Sequence, residues 1–464
     1  PEWDTIPTVV KEDIFFARAT VPDLCALETV YKHPLRSEYT ASEEDINDAI
    51  HRIVPSEYKN TWQQLDNPLY AFKKIAKGPK IKKPKHIFFI VGESIPQWSL
   101  DETHKLLNIC PGLWDFKSQP NTVQIPNFLP AGNVSRPSIV SLMSGIYDAG
   151  LELNEREQFW NGSFPTSFAY QMKQLGYQTI YWYGGNASYG NFNHFGKAQG
   201  FDRVESASIF CGPDAPKTWV GVYDHIFLEN IEQQIKAIDT PTFHFIYTTS
   251  NHSPYKIEDS LLDYDPATVM PHVGEDLRSN KTRNKELATY RYSDKALFSF
   301  VDSMKKAYPD SLFIITGDHS NLFGDLNNTS LIHRDYTLRD TFCTVALLQH
   351  PDLDSNMITT QKGTHMSLMP TIIEAIAPKG FEYYSITPSL FDDQPETLVT
   401  PYQWITDSLM GDVRSDYGES NQPSAEPVTP IRPIDNHAKE ARDWSLLTTW
   451  LINHEEKLFS KKDD

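Results

Sequence analysis

The chain has 464 residues, 39% hydrophobic and 22% charged, with 42 basic against 61 acidic side chains and a formal net charge of −19. This composition excludes a disordered or fibrous chain, and the length allows one large α/β domain with appendages or two domains. The acid excess excludes a nucleic-acid partner, which needs a basic footprint, and no run of ~18 or more apolar residues is present to span a membrane.

The chain opens at Pro1-Glu2-Trp3-Asp4 with neither an initiator Met nor a signal-peptide pattern, and is expected to be a piece of a longer protein. Residues 1–85 read as a helical and linker segment. Within it Ala41-Ser42-Glu43-Glu44-Asp45 predicts a helix start, with Ser42 as the cap and acids in the first turn. A lysine run follows: Lys73, Lys74, Lys77, Lys80, Lys82, Lys83 and Lys85. It reads either as a solvated linker or as a basic collar facing anionic lipid.

From His86 the pattern changes. His86-Ile87-Phe88-Phe89-Ile90-Val91 is apolar throughout and ends at Gly92, as expected of a strand buried on both faces. Similar runs recur at 179–183, 242–247, 312–316 and 343–348, with helical patterns at 167–175 and 285–308 between them. In the longer helix Leu287, Tyr290, Tyr292, Ala296, Leu297 and Phe300 form the expected inner face. Strands alternating with helices predict a mainly parallel central sheet sandwiched by helices over residues 86–380. Residues 381–464 read as an appendage. Residues 412–436 are a loop rich in Pro, Ser, Asp and Asn, and 438–459 a terminal helix that docks on the main body. Cys25, Cys110, Cys211 and Cys343 are far apart and form no CxxC pair, so the cysteines support no zinc knuckle or thioredoxin-like motif and leave the disulfide state open.

Ligands of parallel sheets gather at the carboxyl ends of strands. Gly92-Glu93-Ser94 follows the first run, Thr248-Thr249-Ser250-Asn251-His252-Ser253-Pro254 the third and Gly317-Asp318-His319-Ser320 the fourth. Glu93, Asp318 and His319 can offer oxygens and one imidazole nitrogen to a divalent cation, a mixed set that suits zinc or manganese better than calcium. In Asn133-Val134-Ser135-Arg136-Pro137-Ser138-Ile139, a serine stands just ahead of a proline that opens an apolar helical run. The helix N-terminus favours an alkoxide and an incoming anion. An ordinary serine cap is the bland alternative.

Together these segments resemble the alkaline phosphatase and sulfatase superfamily, and within it the lipoteichoic acid synthase and phosphoglycerol transferase branch. Phe195-Gly196-Lys197-Ala198-Gln199-Gly200-Phe201-Asp202, Tyr290-Arg291-Tyr292-Ser293-Asp294-Lys295-Ala296-Leu297 and His365-Met366-Ser367-Leu368-Met369-Pro370-Thr371-Ile372 extend the likeness to residues 86–380, the last without the family's Asp. The resemblance implies a metal on Glu93, Asp318 and His319, and Ser135 as both ligand and nucleophile where the family usually has Thr. It implies His252 as the catalytic, phosphate-side histidine. The family's aromatic and Arg that grip phosphoglycerol fall near Gly190–Asn193, where this chain has neither Trp nor Arg. Asn193 and His194 are the substitutes expected there, and His333 is a further expected phosphate contact.

The implied activity is a metal-dependent transferase, with Mn²⁺ favoured and Zn²⁺ or Mg²⁺ as alternatives. It moves phosphoglycerol or a similar phospho-alcohol from a phospholipid donor to a glycan or alcohol acceptor through a phospho-Ser135 intermediate. The implied location is outside the cytoplasm, periplasmic or at the cell surface, on a membrane through an anchor this sequence does not contain. Three alternatives differ in chemistry. A sulfatase expects Arg two residues after the proline, where Ile139 stands, and favours paired acids after the first strand. A phosphodiesterase or phosphonate-type hydrolase differs only in the acceptor. A silent binding module keeps the metal and lacks turnover.

Overall fold

The computed structural model describes residues 41–264, 279–321, 337–413, 417–422 and 437–458. Seven strands form the central sheet: β1 (His86–Gly92), β2 (Thr122–Gln124), β3 (Gln178–Tyr183), β4 (Arg203–Ser206), β5 (Thr242–Tyr247), β6 (Leu312–Gly317) and β7 (Ala346–Gln349), in the spatial order β2-β7-β6-β1-β5-β3-β4. The five strands from β6 to β4 are parallel. β7 runs antiparallel to β6, and β2 antiparallel to β7. The apolar run at 343–348 is thus an antiparallel strand, and it starts only at Ala346. Cys343 caps the short helix Leu338–Phe342, which a Thr337–Asp340 capping box initiates.

The alternation of side chains along each strand builds two apolar layers. Ile87, Phe89 and Val91 of β1, with Phe243, Phe245 and Tyr247 of β5, face α1 (Glu43–Ile53), α3 (Ser135–Ser144), α4 (Phe168–Gln174), α7 (His365–Ile376) and α8 (His437–Asn453). Phe88 and Ile90, with Ile180, Trp182 and Phe313, face α2 (Pro111–Ser118), α5 (Asp224–Lys236) and α6 (Lys281–Ala307). The expected inner face of α6 is buried. Its Tyr292 packs beside Tyr223 and Ile257 rather than against the sheet. Ser42 caps α1 by accepting from the Asp45 amide at 3.1 Å, as its sequence predicts.

Both flanks join the same core. Arg52 of α1 grips Asp443 of α8 through two hydrogen bonds of 2.8 Å. Lys73–Ile75 pairs antiparallel with Glu382–Tyr384, and a four-stranded antiparallel sheet occupies residues 398–420. The lysine run is therefore fixed to the body and is no free linker. Lys73, Lys77, Lys82 and Lys85 face Glu382, Asp392, Asp310 and Asp239. The last two acids precede the amino ends of β5 and β6, so the run lies at the sheet edge opposite the strand carboxyl ends. Cys110, Cys211 and Cys343 are free thiols. Cys25 lies outside the described residues. Among the described residues, no helix is long and apolar enough to cross a membrane.

Candidate active site

Strand register assembles the site. Val91 pairs with Tyr247 on one side and Thr316 on the other, and Gly92 pairs with Gly317. Glu93 and Asp318, one residue beyond that last pair, therefore emerge side by side at the carboxyl edge. A Cβ at Gly317 would lie 2.6 Å from the Ile95 carbonyl oxygen, so only glycine lets the two turns close together. Ser94, in the left-handed region (φ 54°), binds both carboxylates: its amide donates to Asp318 Oδ1 at 2.7 Å and its hydroxyl to Glu93 Oε1 at 2.7 Å.

Glu93, Asp318 and His319 place one ligand atom each within 4.8 Å of one another. His319 Nε2 is 3.7 Å from Glu93 Oε1 and 3.6 Å from Asp318 Oδ2. Its Nδ1 donates to the Ser320 carbonyl at 2.7 Å, which leaves Nε2 as the inward lone pair. Burial, and then the Asp318 charge, raise the Glu93 carboxyl above its usual range. Burial pulls the His319 imidazole down, but Asp318 and Glu93 outweigh it and the net direction is upward. Two carboxylates only 2% and 0% exposed, facing one imidazole, form an under-compensated anionic site. This donor set of oxygens and one imidazole nitrogen fits a divalent cation of the zinc or manganese kind.

Ser135 is the first residue of α3. Its hydroxyl caps nothing: Oγ lies 3.3 Å from His319 Nε2 and 3.4 Å from Glu93 Oε2. The serine-cap reading is thereby replaced by a hydroxyl aimed at the acid–imidazole cluster. Behind it, the Tyr247 hydroxyl sits 2.8 Å from Glu93 Oε2 and 3.0 Å from Asp318 Oδ2, and burial holds that phenol well above its ordinary pKa. His365 stitches the rear of the site. Its Nε2 donates to the Gly317 carbonyl at 2.9 Å, and its Nδ1 accepts from the Ala131 amide at 3.2 Å beside the Ser138 hydroxyl.

In front of Ser135 opens a cleft of about 550 Å³. His252 lines it, its Nδ1 2.6 Å from the Ser253 carbonyl and its ring edge-on to Trp219 at 5.0 Å. Tyr183, Tyr189, Phe192, Trp219 and Tyr247 give the cleft aromatic walls, and Arg136, Lys217 and Lys256 give it cations.

Asn193 and His194 do not line this cleft. In the helix Phe192–Ala198, Phe192 turns inward against Tyr183, while the exposed His194 stacks on Trp160 at 4.7 Å. Successive helical residues point about 100° apart, and of the residues in this helix only Phe192 reaches the cleft. His333 lies outside the described residues. Sequence reading missed Ser94, Tyr247, His365, Lys217, Trp219 and Lys256. Tyr247 carried a signal, as the final residue of a buried strand next to the metal-side strand. Trp219 carried none, because a loop between elements brings it in.

A family model described as Sulfatase matches residues 85–377. The lipoteichoic acid synthase-like protein YvgJ of Bacillus subtilis (strain 168) is 26% identical over 152 residues, which are 32% of this chain and only 23% of that protein. Among solved structures, a protein in the alkaline phosphatase superfamily from Vibrio parahaemolyticus has a TM-score of 0.64 at 18% identity, covering 91% of this chain and 99% of its own. The lipoteichoic acid synthase LtaP from Listeria monocytogenes has a TM-score of 0.63 at 16% identity, covering 90% and 99%. The C-terminal periplasmic domain of EcEptC from Escherichia coli, in complex with Zn, has a TM-score of 0.53 at 17% identity, covering 72% and 96%. At these identities the structural likeness is one of fold.

Proposed function

Because the chain belongs to the sulfatase family, an enzyme family of the alkaline phosphatase type, we propose that it is a metal-dependent transferase. It moves a phosphoglycerol or similar phospho-alcohol group from a phospholipid donor to a glycan or alcohol acceptor through phospho-Ser135. The observation that carries this reading is the Ser135 hydroxyl, 3.3 Å from His319 and 3.4 Å from Glu93 at the floor of the cleft. Glu93, Asp318 and His319 would hold the divalent cation, with Ser135 completing the set; Mn²⁺ is our first choice and Zn²⁺ or Mg²⁺ the alternatives. A cation bound there lowers the hydroxyl's pKa and offsets charge on a phosphate oxygen.

Ser135 Oγ attacks phosphorus as the alkoxide, its proton already lost to solvent, the new Oγ–P bond forms and the P–O bond to the lipid alcohol breaks. The His252 imidazolium gives its proton to the departing oxygen. In the second half the acceptor hydroxyl returns a proton to His252 as it attacks, and Ser135 Oγ leaves. The first amide groups of α3 point their dipole at the same phosphate. Where a sulfatase expects Arg, the buried Ile139 lines the cleft, which favours phosphorus over sulfur. The periplasmic placement of the EcEptC domain supports an extracytoplasmic location here as well.

The test is incubation with phosphatidylglycerol and Mn²⁺ followed by intact-mass analysis. The parent should gain the mass of one phosphoglycerol and Ser135→Ala none. Undiminished diacylglycerol release by Ser135→Ala would overturn the scheme. Release of free glycerol phosphate regardless of acceptor would make the enzyme a hydrolase, and tight Mn²⁺ binding without turnover would make it a binding module.

A further inference from the structure

Eight large apolar side chains are exposed among the described residues, and three of them, Val134 (59% exposed), Tyr189 (47%) and Trp219 (42%), line the cleft. Scattered exposed apolar groups are ordinary; their gathering around one opening is not. Lys217 and Lys256 stand on the same wall, and neither has an acidic partner among the described residues. No Asp or Glu is among the residues lining the cleft, on a chain of net charge −19. The acid-paired lysine run lies on the opposite edge of the sheet.

The wall is rigid. Gly185 bridges Gly221, Lys217 bridges Val222, and the Thr218 amide donates to the Gly221 carbonyl at 2.8 Å. A Cβ at Gly221 would lie 2.3 Å from the Gly184 carbonyl oxygen, so only glycine allows this approach. The Trp219 indole donates to the Ser253 carbonyl at 2.9 Å, which holds the ring half in solvent with its polar edge satisfied. An amphipathic indole and phenol, an aliphatic side chain and two ammonium groups are the composition of a membrane-interface contact.

We propose that the cleft mouth docks directly onto an anionic lipid surface, with Val134, Tyr189 and Trp219 entering the headgroup layer and Lys217 and Lys256 meeting lipid phosphates. Charge complementarity selects the partner. A net charge of −19 opposes approach to such a surface, and the cations at the cleft mouth offset that repulsion locally. Docking does not depend on which group Ser135 transfers.

The test is flotation of the protein with mixed phosphatidylglycerol–phosphatidylcholine vesicles, with phosphatidylcholine vesicles and with soluble polyphosphate. Partition onto the anionic vesicles should exceed that onto phosphatidylcholine and fall with salt. Lys217→Ala and Lys256→Ala should each weaken it about fivefold, and Val134→Asp tenfold or more. Ser135→Ala should float like the parent, which separates this proposal from the transfer reading. An unchanged denaturation midpoint in Val134→Asp shows that the variant folds. Equal partition onto both vesicle types, variants that float like the parent, or binding to polyphosphate without binding to vesicles would overturn the proposal.

Discussion

His365 ties together three segments that meet at the site, taking hydrogen bonds with Gly317 at the end of β6, with Ala131 and with Ser138 of α3. Complete burial lowers its imidazole from 6.5 to about 4, against the smaller upward pull of the Gly317 carbonyl. A folded-state pKa below the unfolded one means that the unfolded chain takes up the proton first on acidification. The stabilisation is thus fully present above pH 6.5 and is lost as the pH falls through about 4. The shift corresponds to roughly 3 kcal/mol. Denaturant titrations across that window should show stability falling with acid in the parent and a flatter profile in His365→Asn. His86 and His244 are also lowered by burial and contribute in both proteins, so the difference between the two profiles is the readout. In the sequence, His365 was visible only as the start of the segment whose family Asp is missing. Its contacts come from parts of the chain up to 234 residues away.

α3 carries Ser135 at one end and stops at the other because Gly145 adopts the left-handed conformation, φ 72° and ψ 17°. A Cβ there would lie 2.1 Å from the Thr166 carbonyl oxygen, while the Thr166 hydroxyl donates to the Ser144 carbonyl at 2.7 Å. Gly145→Ala therefore combines backbone strain with a clash against a fixed turn, and should cost at least ~2 kcal/mol. The measurement is a lower denaturation midpoint at unchanged m-value. Much of this element was legible: Pro137 sets the first turn and Gly145 the end. The outward turn of His194, and the absence of Asn193 from the cleft lining, were not, because periodicity assigns faces only when the start of a helix is known. Phe192 claims the inner slot by packing on Tyr183 at a ring distance of 6.0 Å.

Across the whole molecule, the flanking segments share the core of the central sheet. Trp444 of α8 is buried, 5.8 Å from the Tyr147 ring and 6.1 Å from Phe72, and belongs to the same apolar cluster as β1 and α3. Trp444→Ala should cost roughly 3–5 kcal/mol. Calorimetry should still show one transition in the variant, because α8 has no core of its own in which to melt separately. Apolar patterning marked five of the seven strands of the central sheet, and missed β2, β4 and the antiparallel sense of β7. Continuous apolar runs have to be buried on both faces, and the acids and imidazoles that follow them have to emerge at its carboxyl edge. The sequence also marked Glu93, Ser135, His252, Asp318 and His319, because a glycine, a proline or a turn stands next to each. Only the tertiary structure decided which side chains surround them. Trp219, Lys217 and Lys256 reach the cleft through loop closure, which depends on contacts between residues remote in the chain that no local pattern encodes.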